Sequence, residues 1–329
     1  MGGNVNSDGN TTNDVNLKNT DNNMQNAGIG LVLSGGGGKG AYQVGVLKAL
    51  KENGILDDVT AISGASIGAV NAMLYAMDDI DIMYKAWEDI DMLTVFDVDL
   101  EMLMERRPYF SRAEMLALIE KYIDFDKLKS GNYDIYNSIC RVEADQQEMK
   151  PEYRRLADYD IPTIKKILLA STALPLVYEA VELDGKFYRD GGICDNEPIK
   201  PLYDAGIRQF IIVGLKHGKK FNTDKWPDAT FITIYPSHEL GDLIEGTLNF
   251  TAKDIRFREM LGYKDGLRAI RTQFEKNETY IKMEPMLAES DYNDVMMQLR
   301  TETKYKSVES RINSNIEKFN NIAKKYENI

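Results

Sequence analysis

Histidine, cysteine and long apolar runs are all scarce in this chain of 329 residues. It has only two histidines, His217 and His238, which excludes a histidine-rich metal centre. Its two cysteines, Cys140 and Cys194, lie far apart and form no C-x-x-C motif, so we expect reduced core residues and a cytoplasmic compartment. No apolar run of about 18 residues and no signal-peptide pattern is present, so no transmembrane helix is predicted, although export without a signal peptide stays possible.

Positive charge is also in deficit, because 40 Lys and Arg face 52 Asp and Glu and leave a net charge of -12. Phosphate backbones repel such a chain, which excludes nucleic acid as a main partner.

Residues 77–105 hold ten acids and one lysine, which predicts amphipathic helices with an acidic solvent face. Calcium binding is the alternative interpretation, but the spacing of an EF-hand is missing. If the protein meets membranes, peripheral contact would have to come from apolar side chains or from the basic residues between 253 and 271, and we expect this binding to be weak and salt-sensitive.

The hydrophobic pattern divides the chain into three parts. Residues 1–27 form an Asn-rich tail that we expect to be disordered, since it has too few apolar side chains to bury. Residues 28–240 alternate short apolar strands with helices, which predicts an α/β three-layer sandwich with a mainly parallel central sheet. Residues 241–329 read as a helical C-terminal extension packed on that domain. The predicted strands are 29–34, 60–63, 210–213 and 231–234, with a hairpin at 181–188.

A G-x-S-x-G motif runs from Gly64 to Gly68, between a predicted buried strand and a predicted helix. In this context the small residues allow a sharp turn that exposes Ser66 beside the N-terminus of the helix. The amides there can stabilise negative charge on an attacked carbonyl oxygen. We therefore predict that Ser66 is a nucleophile, the alternative being a tight packing turn.

A glycine-rich loop follows the first strand and allows three interpretations. A Walker A loop is excluded, because that motif needs Gly at position 33 and Ser or Thr at position 40. A dinucleotide fingerprint would need an acid at the end of the second strand, which instead ends in Ser63 and Gly64. We favour an oxyanion hole, with backbone amides as donors and Lys39 adding positive charge. The loop consists of Gly35, Gly36, Gly37, Gly38, Lys39 and Gly40.

A serine nucleophile needs a base, and the residues alone leave two candidates open. One is a histidine, either His217 or His238, as in α/β-hydrolase triads. The other is Asp190, which follows a predicted hairpin strand and precedes Gly191 and Gly192, where the backbone can bend closely around another group. An ordinary turn aspartate is the alternative interpretation of Asp190.

Taken together and in this order, the three motifs resemble those of patatin-like phospholipases of the bacterial type. The resemblance covers about residues 28 to 215 and includes the segments 33–42, 170–175 and 190–198. It implies a Ser66–Asp190 dyad with both histidines as bystanders, and hydrolysis of a phospholipid or other lipid acyl ester through an acyl-enzyme without metal or cofactor. The Met- and aromatic-rich stretch 73–125 is expected to line part of the lipid groove. Three rival functions remain: an NAD- or flavin-dependent oxidoreductase, an esterase that uses a histidine, and a non-catalytic interaction protein.

Overall fold

A computed structural model describes residues 28–93, 112–142, 149–175 and 177–326 of the chain. The predicted tail, residues 1–27, and residues 94–105 of the acidic segment lie outside the described residues. No helix among the described residues is long and apolar enough to cross a membrane.

The described residues contain eight strands in one mixed sheet. They are β1 (Ile29–Leu33), β2 (Val59–Ala65), β3 (Asp134–Val142), β4 (Met149–Arg155), β5 (Val181–Leu183), β6 (Lys186–Asp190), β7 (Gln209–Val213) and β8 (Thr230–Ile234). Their order in the sheet is β5-β6-β3-β2-β1-β7-β8, with β4 paired to β3. The pairs β1–β2, β1–β7, β2–β3 and β7–β8 are parallel, while β3–β4, β3–β6 and β5–β6 are antiparallel.

Helices cover both faces of the sheet, as the side chains of the central strands show. Leu31 and Leu33 of β1 belong to the larger apolar core, whereas Val32 between them packs on the opposite face with Leu202. Buried parallel strands have this apolar character on both faces. The helices are α1 (Ala41–Glu52), α2 (Ile67–Tyr75), α3 (Ile80–Leu93), α4 (Arg112–Tyr122), α5 (Phe125–Ser130), α6 (Ile161–Ser171), α7 (Lys200–Asp204), α8 (Ala252–Ala269) and α9 (Glu278–Tyr326).

The predicted fold class, a three-layer α/β sandwich with a mainly parallel sheet and a helical C-terminal segment, is confirmed. Helix α8 packs closely on α1, since a Cβ added to Gly262 would lie 2.0 Å from the carbonyl oxygen of Tyr42. A Cβ added to Gly45 would lie 1.9 Å from the carbonyl oxygen of Glu259. The division into a domain at 28–240 and an extension at 241–329 stays a prediction.

The prediction of reduced cysteines was wrong. Cys140 of β3 and Cys194 form a disulfide, with their Cα atoms 5.6 Å apart. Residue Cys140 pairs with Arg189 of β6, and the turn Gly191–Ile193 then brings Cys194 back over β3. Antiparallel pairing thus brings together two cysteines that are distant in the sequence. The expectation of a cytoplasmic compartment was based on free thiols, so the disulfide removes that argument.

The basic residues between 253 and 271 do not form an open cationic patch. Arg258 is 1% exposed and Arg268 is 7% exposed. Arg268 donates to Asp291 at 2.6 Å and to Asp265, while Lys264 lies 3.5 Å from Asp291. The same face also contains ion pairs of Arg256 with Glu302 and of Arg271 with Glu275. These contacts offset the positive charge of the basic residues. That positive charge was the reason to expect salt-sensitive membrane contact.

Candidate active site

Ser66 occupies the turn between β2 and α2 in a backbone conformation that is rare for serine. Its φ is 54° and its ψ is -125°, which places it in the left-handed half of the map. The neighbouring chain approaches so closely that a Cβ on Gly64 would lie 2.4 Å from the Gly68 carbonyl oxygen. A Cβ on Gly68 would lie 2.2 Å from the carbonyl oxygen of Leu33. Both glycines of the motif are therefore needed to hold this strained turn against β1.

The tertiary structure brings Asp190 to Ser66 from a distant part of the chain. Asp190 ends β6 opposite Ile139, and its carboxylate is 3% exposed. The Ser66 hydroxyl Oγ donates to Asp190 Oδ2 at 2.6 Å, and the Gly192 N–H donates to Oδ1 at 2.8 Å. Burial raises the pKa of Asp190 to about 6, although both hydrogen bonds oppose that rise. At neutral pH this carboxylate is mostly ionised and can accept the serine proton.

Ser171 also holds the turn at Ser66, although the sequence motifs assigned it no role. Its buried hydroxyl accepts a hydrogen bond from the Ser66 N–H at 3.1 Å and donates to the Ser138 carbonyl oxygen at 2.7 Å. This serine therefore bridges the turn to β3. The only sequence signal was its place in the segment 170–175, one of those that carry the family resemblance.

The first half of the glycine-rich loop lies beside Ser66. Gly35, Gly36 and Gly37 line the same cavity as Ser66 and Asp190. The side chain of Asn196 holds the loop there by two reciprocal bonds: the Gly35 N–H donates to its Oδ1 at 3.1 Å, and its Nδ2 donates to the Gly35 carbonyl oxygen at 3.2 Å. Asn196 follows Asp190 by six positions, so one segment positions both the carboxylate and the loop.

The second half of the loop lies under a short segment that precedes α8. We call residues 243–250 the strap. A Cβ on Gly38 would lie 2.0 Å from the carbonyl oxygen of Asn249. Buried Arg258 of α8 holds the strap, because its two terminal nitrogens donate to the Asn249 carbonyl at 2.7 Å and to the Glu245 carbonyl at 2.8 Å.

Lys39 and Gly40 are not among the residues that line the cavity, unlike the first three glycines. Burial lowers the pKa of Lys39, and the nearby positive charge of Arg258 lowers it further. A Cβ on Gly246 of the strap would lie 2.3 Å from the Lys39 side chain, and a Cβ on Gly40 would lie 2.6 Å from the Ile67 side chain. Lys39 is thus part of the packing between loop and strap and does not line the cavity with Gly35 to Gly37.

Ser66 opens onto a cavity of about 470 Å³ with mainly apolar walls. Leu74, Ala86, Ile90, Leu118 and Ile119 come from the stretch 73–125, and the strap adds Leu248 and Phe250. Apolar walls with a few polar groups at one end suit a ligand that has a hydrocarbon part and one reactive group.

The two histidines lie outside this cavity. His217 Nδ1 lies 2.8 Å from the Pro236 carbonyl oxygen, and His238 stacks on Tyr292 with ring centres 4.0 Å apart. Neither histidine is among the described residues that line the cavity. Within the described ranges, no three His, Cys, Asp or Glu side chains come together in a way that could hold a metal ion.

Comparison with known proteins shows the family. The family model described as patatin-like phospholipase matches residues 31–203. Lysophospholipase nte1 of Aspergillus terreus is 58% identical over 181 residues, which cover 54% of this chain and 11% of that protein. Lysophospholipase NTE1 of Cryptococcus neoformans is 27% identical over 198 residues, or 56% of this chain and 11% of the relative. The matched region is thus a small part of these longer proteins.

Two solved structures are more distant. VipD from Legionella pneumophila has a TM-score of 0.48 and 16% identity, over 83% of this chain and 74% of that one. Human GIVD cytosolic phospholipase A2 has a TM-score of 0.47 and 11% identity, over 80% and 60% of the two chains. The family assignment rests on the sequence match, which spans more than half of the chain and includes both Ser66 and Asp190. This chain belongs to the patatin-like phospholipase family.

Proposed function

We propose that this protein is a serine acyl hydrolase that cleaves ester bonds of phospholipids or other lipids. The observation that carries the proposal is the 2.6 Å hydrogen bond from Ser66 Oγ to Asp190 Oδ2. This bond lies at one end of a mainly apolar cavity of about 470 Å³. A nucleophile within hydrogen-bond reach of a base, next to a site for a hydrocarbon chain, is the arrangement that lipid ester hydrolysis needs.

In the proposed reaction, Ser66 Oγ attacks the ester carbonyl carbon while Asp190 accepts the hydroxyl proton. The carbonyl oxygen gains negative charge, which the amides of the loop beside Gly36 and Gly37 would stabilise. Collapse of this intermediate breaks the bond to the alcohol, which leaves with the proton from Asp190, and Ser66 remains acylated. Water then attacks the acyl-enzyme with Asp190 again as base, releasing the fatty acid and restoring Ser66.

Substrates with one acyl chain are the first to examine, because the two fungal relatives are named lysophospholipases. The cavity leads directly from Ser66 between α2, α3 and the strap, so one chain could extend into it from the reacting carbonyl. Peripheral contact with a lipid surface is part of this proposal. Its support is exposed apolar residues near the cavity: Ile193, which lines it, and Leu243 and Ile244 of the strap.

Labelling with a fluorophosphonate tests the proposal without presuming a substrate. We expect a single adduct on Ser66, located by mass mapping of the modified peptide, because the probe reacts with activated serines. Ser66→Ala should remove the adduct, whereas Ser63→Ala should leave Ser66 labelled. A wild-type protein that is folded and takes up no probe would contradict the proposal and would favour a non-catalytic interaction protein.

The pH dependence of hydrolysis should show the raised pKa of Asp190. Only the ionised carboxylate can accept the serine proton, so kcat/KM is expected to fall below pH about 6, approaching tenfold per pH unit. A pH profile with a soluble short-chain ester would measure this. Since the raised pKa favours the protonated carboxyl in the folded state, this group adds stability as pH falls, and its protonation does not unfold the protein. An acid limb near pH 4 would contradict the effect of burial.

Asn196 is expected to act as a positioning residue. Asn196→Asp keeps the shape but replaces the Nδ2 donor by an oxygen 3.2 Å from the Gly35 carbonyl oxygen, so the two groups repel each other. We expect kcat to fall roughly tenfold to a hundredfold with little change in KM, because the loop would stabilise the transition state less well. The matched control is Asn222→Asp, at an exposed turn. An unchanged kcat in Asn196→Asp would show that these two hydrogen bonds do not position the loop for catalysis.

A further inference from the structure

Residues 303–314 of α9 lie beyond the described contacts of this helix with the rest of the protein. Val295 and Leu299 are buried against the domain, at 1% and 6% exposure. Arg256 of α8 then pairs with Glu302 at 3.6 Å, and beyond this ion pair every residue from 303 to 314 is exposed. About 24 helical residues follow Glu302, which corresponds to roughly 36 Å of helix.

This part of the helix has a composition that does not favour an isolated helix in water. Residues 303–326 include four asparagines and three serines, which have low helix propensity. Helices of this length are marginal without a packed face, because the cost of ordering the backbone is not offset by local hydrogen bonds alone. A stable helix here therefore needs a packing partner.

An apolar stripe shows where such a partner would bind. Tyr305, Val308 and Ile312 follow each other at intervals of three and four residues and are 71%, 46% and 52% exposed. In a seven-residue repeat labelled a to g, Tyr305 and Ile312 take position a and Val308 takes position d. The sequence continues the repeat at three of the next four core positions, the exception being Asn315. These three residues are Phe319, Ile322 and Tyr326.

We propose that residues 303–326 of α9 form a parallel two-stranded coiled coil with a second copy of this chain. Lys304 takes position g and Glu309 takes position e of the next repeat. In a parallel pair these positions face each other, so each lysine meets the glutamate of the other copy. In an antiparallel pair position g faces position g, which would bring Lys304 and Arg311 against cations.

The charges beside the stripe favour a second copy over a membrane surface. The stripe also includes Ile316 at position e, which is 52% exposed and lies next to the core positions. Lys304 and Arg311 flank the stripe on one side and Glu302 and Glu309 on the other. A parallel second copy brings Lys304 and Glu309 together, whereas an anionic lipid surface would repel the two glutamates.

Sedimentation of the full chain tests the proposal. We expect a mass of about twice 37.3 kDa at micromolar concentration. The double variant Val308→Asp/Ile312→Asp should be monomeric, since it places four carboxylates in the seam, while Ser310→Asp on the opposite face should remain dimeric. Fluorophosphonate labelling of Ser66 reports whether each variant is folded. A monomeric wild-type chain would overturn the proposal, and flotation of that monomer with anionic vesicles would identify a membrane surface as the occupant instead.

A charge swap tests the parallel orientation. Lys304→Glu and Glu309→Lys should each weaken the dimer about tenfold, because each replaces two attractive pairs by two repulsive ones. An equimolar mixture of the two variants should recover the wild-type affinity, since the mixed dimer restores opposite charges on both sides. If the mixture stays as weak as the separate variants, the parallel pairing is wrong.

Discussion

Asp190→Asn is expected to lower kcat for ester hydrolysis by about a thousandfold or more, while the protein stays folded. The amide has nearly the shape of the carboxylate, but it cannot accept the proton of Ser66 Oγ, which lies 2.6 Å from Asp190 Oδ2. Steady-state kinetics with a soluble ester and a thermal melt would measure both effects. Burial of an ionised carboxylate with a raised pKa has a cost, so the variant should be at least as stable as the wild type near pH 7.

The histidines provide the controls for that experiment. His217→Ala and His238→Ala should keep kcat within about twofold, since neither ring lines the cavity that contains Ser66. His238 stacks on Tyr292 and contacts Glu289, so its loss should affect the packing of α9 more than the chemistry. Full activity in Asp190→Asn, together with a large loss in either histidine variant, would replace the dyad by a histidine-dependent mechanism.

Gly38→Ala is expected to slow fluorophosphonate labelling of Ser66 by about a hundredfold. The added methyl group would lie 2.0 Å from the Asn249 carbonyl oxygen and 3.0 Å from Arg258 Nη1, so either the loop or the strap must move. In the proposed mechanism the loop amides stabilise the developing oxyanion, so a displaced loop would stabilise it less well. The rate constant for labelling, measured under excess probe, gives the effect directly.

Gly185→Ala is the matched control for that substitution. It lies in the exposed turn between β5 and β6, where an added Cβ meets nothing within 4 Å, although its φ is 72°. This variant therefore has the backbone cost of a positive φ, about 1 kcal/mol, without crowding at the site. Its labelling rate should equal that of the wild type. Equal labelling of Gly38→Ala and wild type would show that the strap does not hold the loop in place.

The repeating apolar pattern of the sequence was sufficient to predict much of the fold. The predicted strands 29–34, 60–63, 210–213 and 231–234 agree with β1, β2, β7 and β8 to within two residues at each end. Central parallel strands are easy to recognise because both of their faces are buried. Strands β3 and β4 were not predicted from the sequence. Strand β3 contains buried polar residues, and β4 is a polar strand with no buried residue, so neither has a distinctive pattern.

The sequence by itself determined the order and character of the motifs at this site. The motif around Ser66, the glycine-rich loop and the Asp190-Gly191-Gly192 turn are local features, and each depends on small residues at fixed spacing. These local patterns did not decide whether a histidine or Asp190 lies next to Ser66. Ser66 and Asp190 are 124 positions apart in the sequence. They come into contact because β6, which ends at Asp190, pairs with β3, and β3 pairs with β2, the strand that precedes Ser66.

The tertiary structure alone decided three further features. It pairs Cys140 with Cys194, places Asn196 on the Gly35 peptide and buries Arg258 beneath the strap. Each of these contacts joins side chains or peptides from different elements, so no local periodicity predicts it. Propensity and periodicity depend on neighbours along the chain, whereas these contacts depend on strand order and on how helices pack across the sheet.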